Sequence, residues 1–397
     1  MDLLFQLILV TLGQRDRLSR TPSEEEWWKL YQMTEEQAIT SFVFPALEIL
    51  NRSGQKPPSE LLFEWIGLSE QVRAQNELMN KDAARLTALF ENEGHRTAIL
   101  KGQANARLYH CHTDITESTE RVATTLLRQP GDIDIWVSGG KERVVQTLRK
   151  LHLIDGDMAK YRSAEKAEDS YHHVHLPQNE QGVDVEVHFR PSSGNYDPFT
   201  NRRLQKYLNQ EIERENEMVG EGFRVPSLRF ALVMQLAHIQ RHALDLGVGL
   251  RQVIDYYFLL RKWRNSNQWI ILAEASAPSG RADNGKLKNL GLHHIAGALM
   301  WVMKEVLLMD EDWMIARPDE KRGRMLLDII MAGGNFGHFS PVIQQGFSFS
   351  TSLKYHIKQY ELLRFDARET IWGELNYYGR FLSSIPERIR RRSWTLR

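Results

Sequence analysis

The stretch "RQPGDIDIWV", residues 128–137, sets two acids inside an apolar run: Asp132 and Asp134 flank Ile133, and Ile135, Trp136 and Val137 follow. Side chains alternate across a strand, so residues two apart share a face. Asp132 and Asp134 therefore point one way, and Ile133 and Ile135 the other. Two carboxylates that close repel each other and resist full ionisation without a counter-charge. A divalent cation is the simplest counter-charge. It would need a third ligand, a phosphate cradle and room for a substrate.

A second strand pattern, "VDVEVHF" (183–189), offers the third ligand. Val183, Val185, Val187 and Phe189 alternate with Asp184, Glu186 and His188. If this strand neighbours the first, their backbones lie ~4.8 Å apart and Glu186 completes a cluster with Asp132 and Asp134. Asp184, on the same face, is an alternative ligand, and a solvated sheet face is the plain reading of both. Oxygen ligands suit Mg²⁺ or Mn²⁺ rather than zinc. Two ions about 3.5–4 Å apart can share such carboxylates in phosphoryl transfer, where the protein mostly positions groups and stabilises charge.

The cradle candidate is "LKGQANARLYH" (100–110), a strand running through Lys101 and Gly102 into a helix over 103–110. A strand–glycine–helix turn points backbone N–H groups and a helix dipole at one place. Gly102 allows close backbone approach, and Lys101 and Arg128 are candidate phosphate contacts.

These residues together, "LKG…LY…R…GDIDIWV…VEVHF", resemble the uncharacterised nucleotidyltransferase branch of the polymerase-beta-like superfamily. The resemblance covers about residues 95 to 262. It implies an α+β fold: a small mixed β-sheet core flanked by N-terminal and C-terminal helical regions. By resemblance Gly102 matches the glycine motif, although Gln103 and not serine follows it. Asp132 and Asp134 match the metal-binding pair, Glu186 the third acid, and His188 completes an acid-x-His pattern. His238, Arg251 and Asp255 fall at recurring polar positions of a downstream helical segment.

The texture of the chain divides it into a helical region (1–94), an α/β catalytic region (95–200) and a helical region with a basic tail (201–397). "TPSEEEWWKLYQM" reads as a helix capped by Thr21, with Pro22 at the first helical position. The residues "YHHVHLP" (171–177) and "VDVEVHF" read as a hairpin, and 226–263 as the strongest helical stretch. The opening "MDLLFQLILVTLGQRDR" has no preceding basic segment and is far shorter than a membrane span of roughly 20 residues. It reads as an amphipathic helix on the core, with no membrane partner. The single cysteine, Cys111, leaves no internal disulfide and no cysteine-rich zinc site, which suits a reducing cytoplasm. A formal net charge of zero argues against a long nucleic-acid partner.

The leading expectation is an enzyme that moves a nucleoside monophosphate from an NTP to an acceptor hydroxyl, the acceptor being a small molecule or a protein. Asp132, Asp134 and Glu186 would be its catalytic and metal-binding residues; Lys101, Gly102, Arg128 and His188 would face the nucleotide. A second reading is a catalytically degenerate module that binds nucleotide or a partner. A third is a metal-dependent phosphohydrolase that also uses histidines. His172, His173 and His175 raise a zinc site with His188, though strand histidines are more commonly ordinary hydrogen-bonding groups. His238 and His242 lie one helical turn apart, but Ile239 stands where a zinc protease needs glutamate. Arg251 and Asp255, at four-residue spacing, read as an intrahelical ion pair or as residues ordering the cleft. Arg388, Arg390, Arg391 and Arg392 read as a solvated tail.

Overall fold

A computed structural model of the protein describes residues 2–109, 126–154, 172–177, 182–245, 247–266, 284–334, 360–379 and 382. The chain opens with four helices: α1 (Leu3–Thr11), α2 (Glu24–Glu36), α3 (Thr40–Arg52) and α4 (Ser59–Asn92). The N-cap of α2 is Ser23, which accepts from Glu26 N while Glu26 accepts from Ser23 N. The capping box thus sits two residues beyond the expected Thr21, and Pro22 lies outside the helix. The overlapping sequence offers both caps, and the Arg20 guanidinium, 2.6 Å from Glu26, supports the later one. Helix α1 is not amphipathic. Leu4 and every residue from Gln6 to Thr11 are buried, as expected for a helix apolar all round.

A four-stranded sheet follows, in the order β1-β2-β4-β3. Strand β1 (Thr97–Ile99) leads through a single helical turn, α5 (Gln103–Ala106), towards β2 (Ile133–Val137). After helix α6 (Gly140–Lys150) come β3 (His173–His175) and β4 (Val185–His188). β1 is antiparallel to β2, β2 parallel to β4, and β4 antiparallel to β3. The parallel pair needs a long crossover, and α6 lies in it. The 103–110 helix expected from sequence shrinks to α5, and the expected β3–β4 hairpin is present.

Beyond the sheet the chain is mainly helical: α7 (Pro198–Arg214), α8 (Leu228–Leu244), α9 (Leu250–Arg264), α10 (Asn284–Asn289), α11 (His293–Leu307) and α12 (Glu320–Gly333). Residues 360–379 are helical as well. Two features depart from expectation. A short antiparallel hairpin, β5 (Asn216–Met218) with β6 (Arg224–Pro226), interrupts the helices, turning at Gly222 with φ +88°. The 226–263 stretch also splits into α8 and α9, where Gly247 takes φ +129°. Among the described residues no helix is long and apolar enough to cross a membrane.

The alternation in β2 and β4 decides how the molecule is layered. Ile133, Ile135, Val185 and Val187 pack with Met79, Leu86 and Phe90 of α4 and with Val144 and Leu148 of α6. A larger apolar core joins the first three helices with α7 to α9, α11 and α12, and includes Leu362 and Phe365. Helix α4, 34 residues and so about 50 Å long, serves both cores, through Leu61 and Trp65 at one end and Met79 to Phe90 at the other. The opposite sheet face, carrying Asp134, Glu186 and His188, looks towards α8.

The 360–379 helix is tied to α7 by a buried acid. Glu369 Oε2 accepts from Tyr196 N at 2.6 Å, and Oε1 accepts from Thr200 Oγ1 at 3.3 Å. Burial outweighs the backbone bonds and, with Asp366 beside it, raises the Glu369 carboxyl from its ordinary value to about 7. A raised carboxyl pKa favours folding below the unfolded value of 4.5, and that contribution is lost as pH rises through 7. The linkage amounts to about 3 kcal/mol across that window. Glu369→Gln keeps an acceptor for Tyr196 N. In urea unfolding it should flatten the stability slope between about pH 5 and 8 and stabilise the protein at the upper end. An unchanged slope would remove Glu369 as its source.

Candidate active site

The parallel register sets Asp134 of β2 directly opposite Glu186 of β4, and Trp136 opposite His188. Asp134 is 1% exposed. Two carboxylates on adjacent strands in so dry a place need compensation. His188 Nε2 supplies it, 2.9 Å from Asp134 Oδ1 and 3.2 Å from Glu186 Oε2. Burial opposes charge on His188, but the bonds to Asp134 and Glu186 outweigh it and lift the imidazole to about 9. His188 is therefore a donor to both acids at neutral pH. Glu186 is itself pulled below the usual carboxylate range: burial pushes upward, and the bond from His188 wins.

Lys101 closes the charge balance from the other side. Its Nζ lies 3.0 Å from Asp134 Oδ2 and 3.7 Å from Asp132 Oδ1. Burial again opposes the charge, and the attraction of Asp134, Asp132 and Glu186 holds the ammonium above its ordinary pKa. Gly102, next in the chain, has φ +60°, and a Cβ there would lie 3.3 Å from the Asp132 carbonyl oxygen. Both facts favour glycine. The turn that follows, α5, is only four residues long, so it lacks the extended dipole expected for 103–110. What the turn offers is backbone: among the described residues the N–H groups of Lys101, Gly102 and Gln103 donate to no protein acceptor.

The loop before β2 is clamped from behind. Arg128 Nε and Nη2 each donate to Asp255 of α9 at 2.7 Å. Tyr109 Oη donates to the same carboxylate at 2.7 Å. Arg251, one turn earlier on α9, donates to the carbonyls of Gln129 and Pro130 at 3.2 and 2.9 Å. From α4, the fully buried Asn76 donates to the carbonyls of Leu126 and Arg128. Arg128, a candidate phosphate contact by sequence, is engaged with Asp255, and Asp255, read either as an intrahelical partner of Arg251 or as a residue ordering the cleft, reaches across to Arg128 and Tyr109.

A cavity of about 870 Å³ opens over the polar face of the sheet. One wall is the acids and Lys101; the facing wall is α8, through Met234, His238, Arg241 and His242, with Asp245 just beyond it. Arg241 is held firmly, 3.6 Å from the centre of the Tyr196 ring and 3.0 Å from Asp245 Oδ2. Sequence reading passed over Arg241. Its signal was present: His238, Arg241, His242 and Asp245 mark one stripe at helical spacing on a helix otherwise deeply buried. A smaller chamber of about 30 Å³ is lined by Gly102, Asn105, Gln235 and Arg251.

The family model described as "Uncharacterised nucleotidyltransferase" matches residues 23–281. The chain belongs to this family. No curated protein and no solved structure matches it. In this nucleotidyltransferase family member the matched span holds every site residue described above. Asp134, Glu186 and His188 present ligand atoms all within 4.8 Å of one another. Asp132 stands outside that tightest group and joins it through Lys101; the alternative ligand Asp184 also lines the cavity. The polar segment 111–125, with Cys111, and the arginines 388 and 390–392 lie outside the described residues.

Breaking a buried ion pair from one side leaves an unpaired charge and costs about 3–5 kcal/mol. Arg128→Met should destabilise the protein by that amount in chemical denaturation. The Arg128→Met/Asp255→Leu double variant should recover most of the loss. A single variant within about 1 kcal/mol of wild type would show that the clamp carries little.

Proposed function

We propose that the protein transfers a nucleoside monophosphate group from an NTP to an acceptor hydroxyl, with pyrophosphate as leaving group. The observation that supports this most is the Asp134–Glu186 pairing across two parallel strands, with Lys101 beside it and an open cavity in front. The donor set suits a hard divalent cation. Asp134 Oδ2 is buried with the Lys101 ammonium 3.0 Å away, and the adjoining acids supply only oxygen. Asp132, Asp134 and Glu186 are the residues that would hold Mg²⁺ or Mn²⁺. Bound there, the cation supplies charge neutralisation for the triphosphate and activates the acceptor hydroxyl.

The chain's own groups do the rest. The N–H groups of Gly102 and Gln103 and the Lys101 ammonium face the phosphates. Arg241, on the far wall, meets the β- and γ-phosphates and favours departure of pyrophosphate. The acceptor oxygen forms a bond to the α-phosphorus, the bond from that phosphorus to the bridging oxygen breaks, and pyrophosphate leaves with the electron pair. Glu186, held as a carboxylate, orients the acceptor hydroxyl, and the hydroxyl proton passes to solvent. A cavity of about 870 Å³ lies in the ordinary size class for small-molecule sites, which supports a small acceptor or a protein side chain over a long nucleic acid. A second reading, nucleotide sensing without turnover, draws support from Lys101, whose ammonium already neutralises Asp134.

Incubation with Mg²⁺ or Mn²⁺ and each α-labelled NTP, over metabolite and protein acceptors, should transfer label and release pyrophosphate. Asp134→Asn should lower transfer by about 10²–10³-fold, the size of losing one group that stabilises the transition state. Undiminished transfer in that variant defeats the assignment, and calorimetric NTP binding without turnover on any acceptor favours sensing. Arg241→Met removes one charge-assisted contact and should weaken apparent NTP affinity roughly 10- to 100-fold. An unchanged affinity would take Arg241 off the phosphate.

A further inference from the structure

The edge strand β3 brings a second kind of donor to the same sheet face. In the antiparallel register His175 stands opposite Glu186 and His173 opposite His188. His173 uses both ring nitrogens at close range: Nδ1 is 2.8 Å from His172 Nε2, and Nε2 is 2.9 Å from His175 Nε2. One tautomer of His173 carries its proton on Nδ1. With Nδ1–H donating to His172, the Nε2 lone pair of His173 turns towards His175. If His175 keeps its own proton on Nδ1, facing Glu186 Oε1 at 3.5 Å, its Nε2 lone pair turns the same way. Two nitrogen lone pairs at that distance repel unless a cation or a proton lies between them. Glu186 divides its oxygens accordingly. Oε1 looks to His175, while Oε2 lies 3.2 Å from His188 Nε2 and 3.6 Å from His173 Nδ1.

The polar face therefore has two halves, one rich in oxygen around Asp132 and Asp134 and one rich in imidazole nitrogen along β3, with Glu186 between. We propose that His173, His175 and Glu186 form a separate site for a borderline transition metal of the Zn²⁺ class, with the Glu186 carboxylate shared between the two halves. The two Nε2 atoms lie 2.9 Å apart, close to the edge of about 3.3 Å expected for a tetrahedron around Zn²⁺. The ligand atoms of these residues also lie within 4.8 Å of one another. His172 is the positioning residue: by accepting from Nδ1 it fixes which nitrogen of His173 faces the metal, the usual role of an outer partner to a ligating histidine. The His175 side chain is 54% exposed, which gives the cation an entry path and leaves a fourth position for water or substrate. Imidazole favours such metals over Mg²⁺, so the two halves would sort cations by chemistry. The site rests on its own donor set and not on nucleotidyl transfer.

The test uses the full chain, stripped with chelator and kept in saturating Mg²⁺. Titrated Co²⁺ should bind at one equivalent, develop the visible absorption of a four-coordinate site, and be displaced by Zn²⁺. X-ray absorption of the Zn²⁺-loaded wild type should show two imidazoles among the nearest neighbours, a readout that needs no variant. His173→Gln and His175→Asn should each weaken Co²⁺ binding by more than about 10-fold, and His172→Asn by about 10-fold. Metal-free circular dichroism checks that each variant is folded. Failure of Co²⁺ to bind in Mg²⁺, a shell of oxygen only, or unchanged affinity in folded His173→Gln/His175→Asn protein would overturn the proposal. Label transfer from NTP plays no part in these readouts, so loss of one proposal leaves the other standing.

Discussion

Two carboxylates held side by side on neighbouring parallel strands are the constraint around which the rest of this molecule is arranged. Adjacent strands run ~4.8 Å apart, so the register that pairs Asp134 with Glu186 fixes two like charges within strong mutual repulsion. Nothing apolar can relieve that. The relief comes from His188 on the same strand as Glu186 and from Lys101 beyond β1, each within about hydrogen-bonding distance of Asp134. The strands stay together because their alternate residues, Ile133, Ile135, Val185 and Val187, are buried against α4 and α6. One face of the sheet supplies cohesion, and that cohesion holds the other face in an arrangement the acids alone would not adopt.

A site built this way also has to be stiff, and the polar network behind it provides stiffness. The loop leading into β2 is gripped by α9 through Arg128–Asp255 and Arg251, by Tyr109, and by Asn76 of α4. The bonds of Arg128 and Tyr109 to Asp255 are buried, and the pairing of these groups offsets the cost of desolvating them. The Asp132 backbone, which Gly102 must approach closely, follows directly from that loop. Functional groups need positions held to about half an ångström by surrounding contacts, and the Arg128–Asp255 pair holds the loop that leads to Asp132.

The parts of this arrangement that repeat locally could be read from sequence. The period-two alternation in 132–137 and 183–189 gave both strands and the polar face, and "KG" after a short apolar run gave the turn. Partners separated by many residues could not be read. Nothing near Arg128 in sequence shows its partner Asp255, 127 residues away. Arg241 was hidden because α8 is buried almost throughout, and its polar stripe gains meaning only when the sheet stands opposite. The cap of α2 slipped because two overlapping signals differ only in a contact made by Arg20. The β5–β6 hairpin has three residues in each strand, too few for alternation to register.

The mixed order of the sheet bears on where chemistry can occur. With β2 and β4 parallel at the centre and antiparallel strands on either side, the ends of the central strands come together on one edge of the apolar layer. Their flanking strands bring different contributions to that place: β1 leads into the Lys101–Gly102 turn, and β3 carries histidines. Reversing either edge strand would move its polar residues to the far end of the sheet. Shifting β4 by one residue against β2 would set Val185 or Val187 opposite Asp134 and turn Glu186 into the apolar layer, where α4 and α6 have no partner for it. The same hydrophobic pattern that selects the fold therefore selects the position of the acids, and strand pairing and site geometry are one choice.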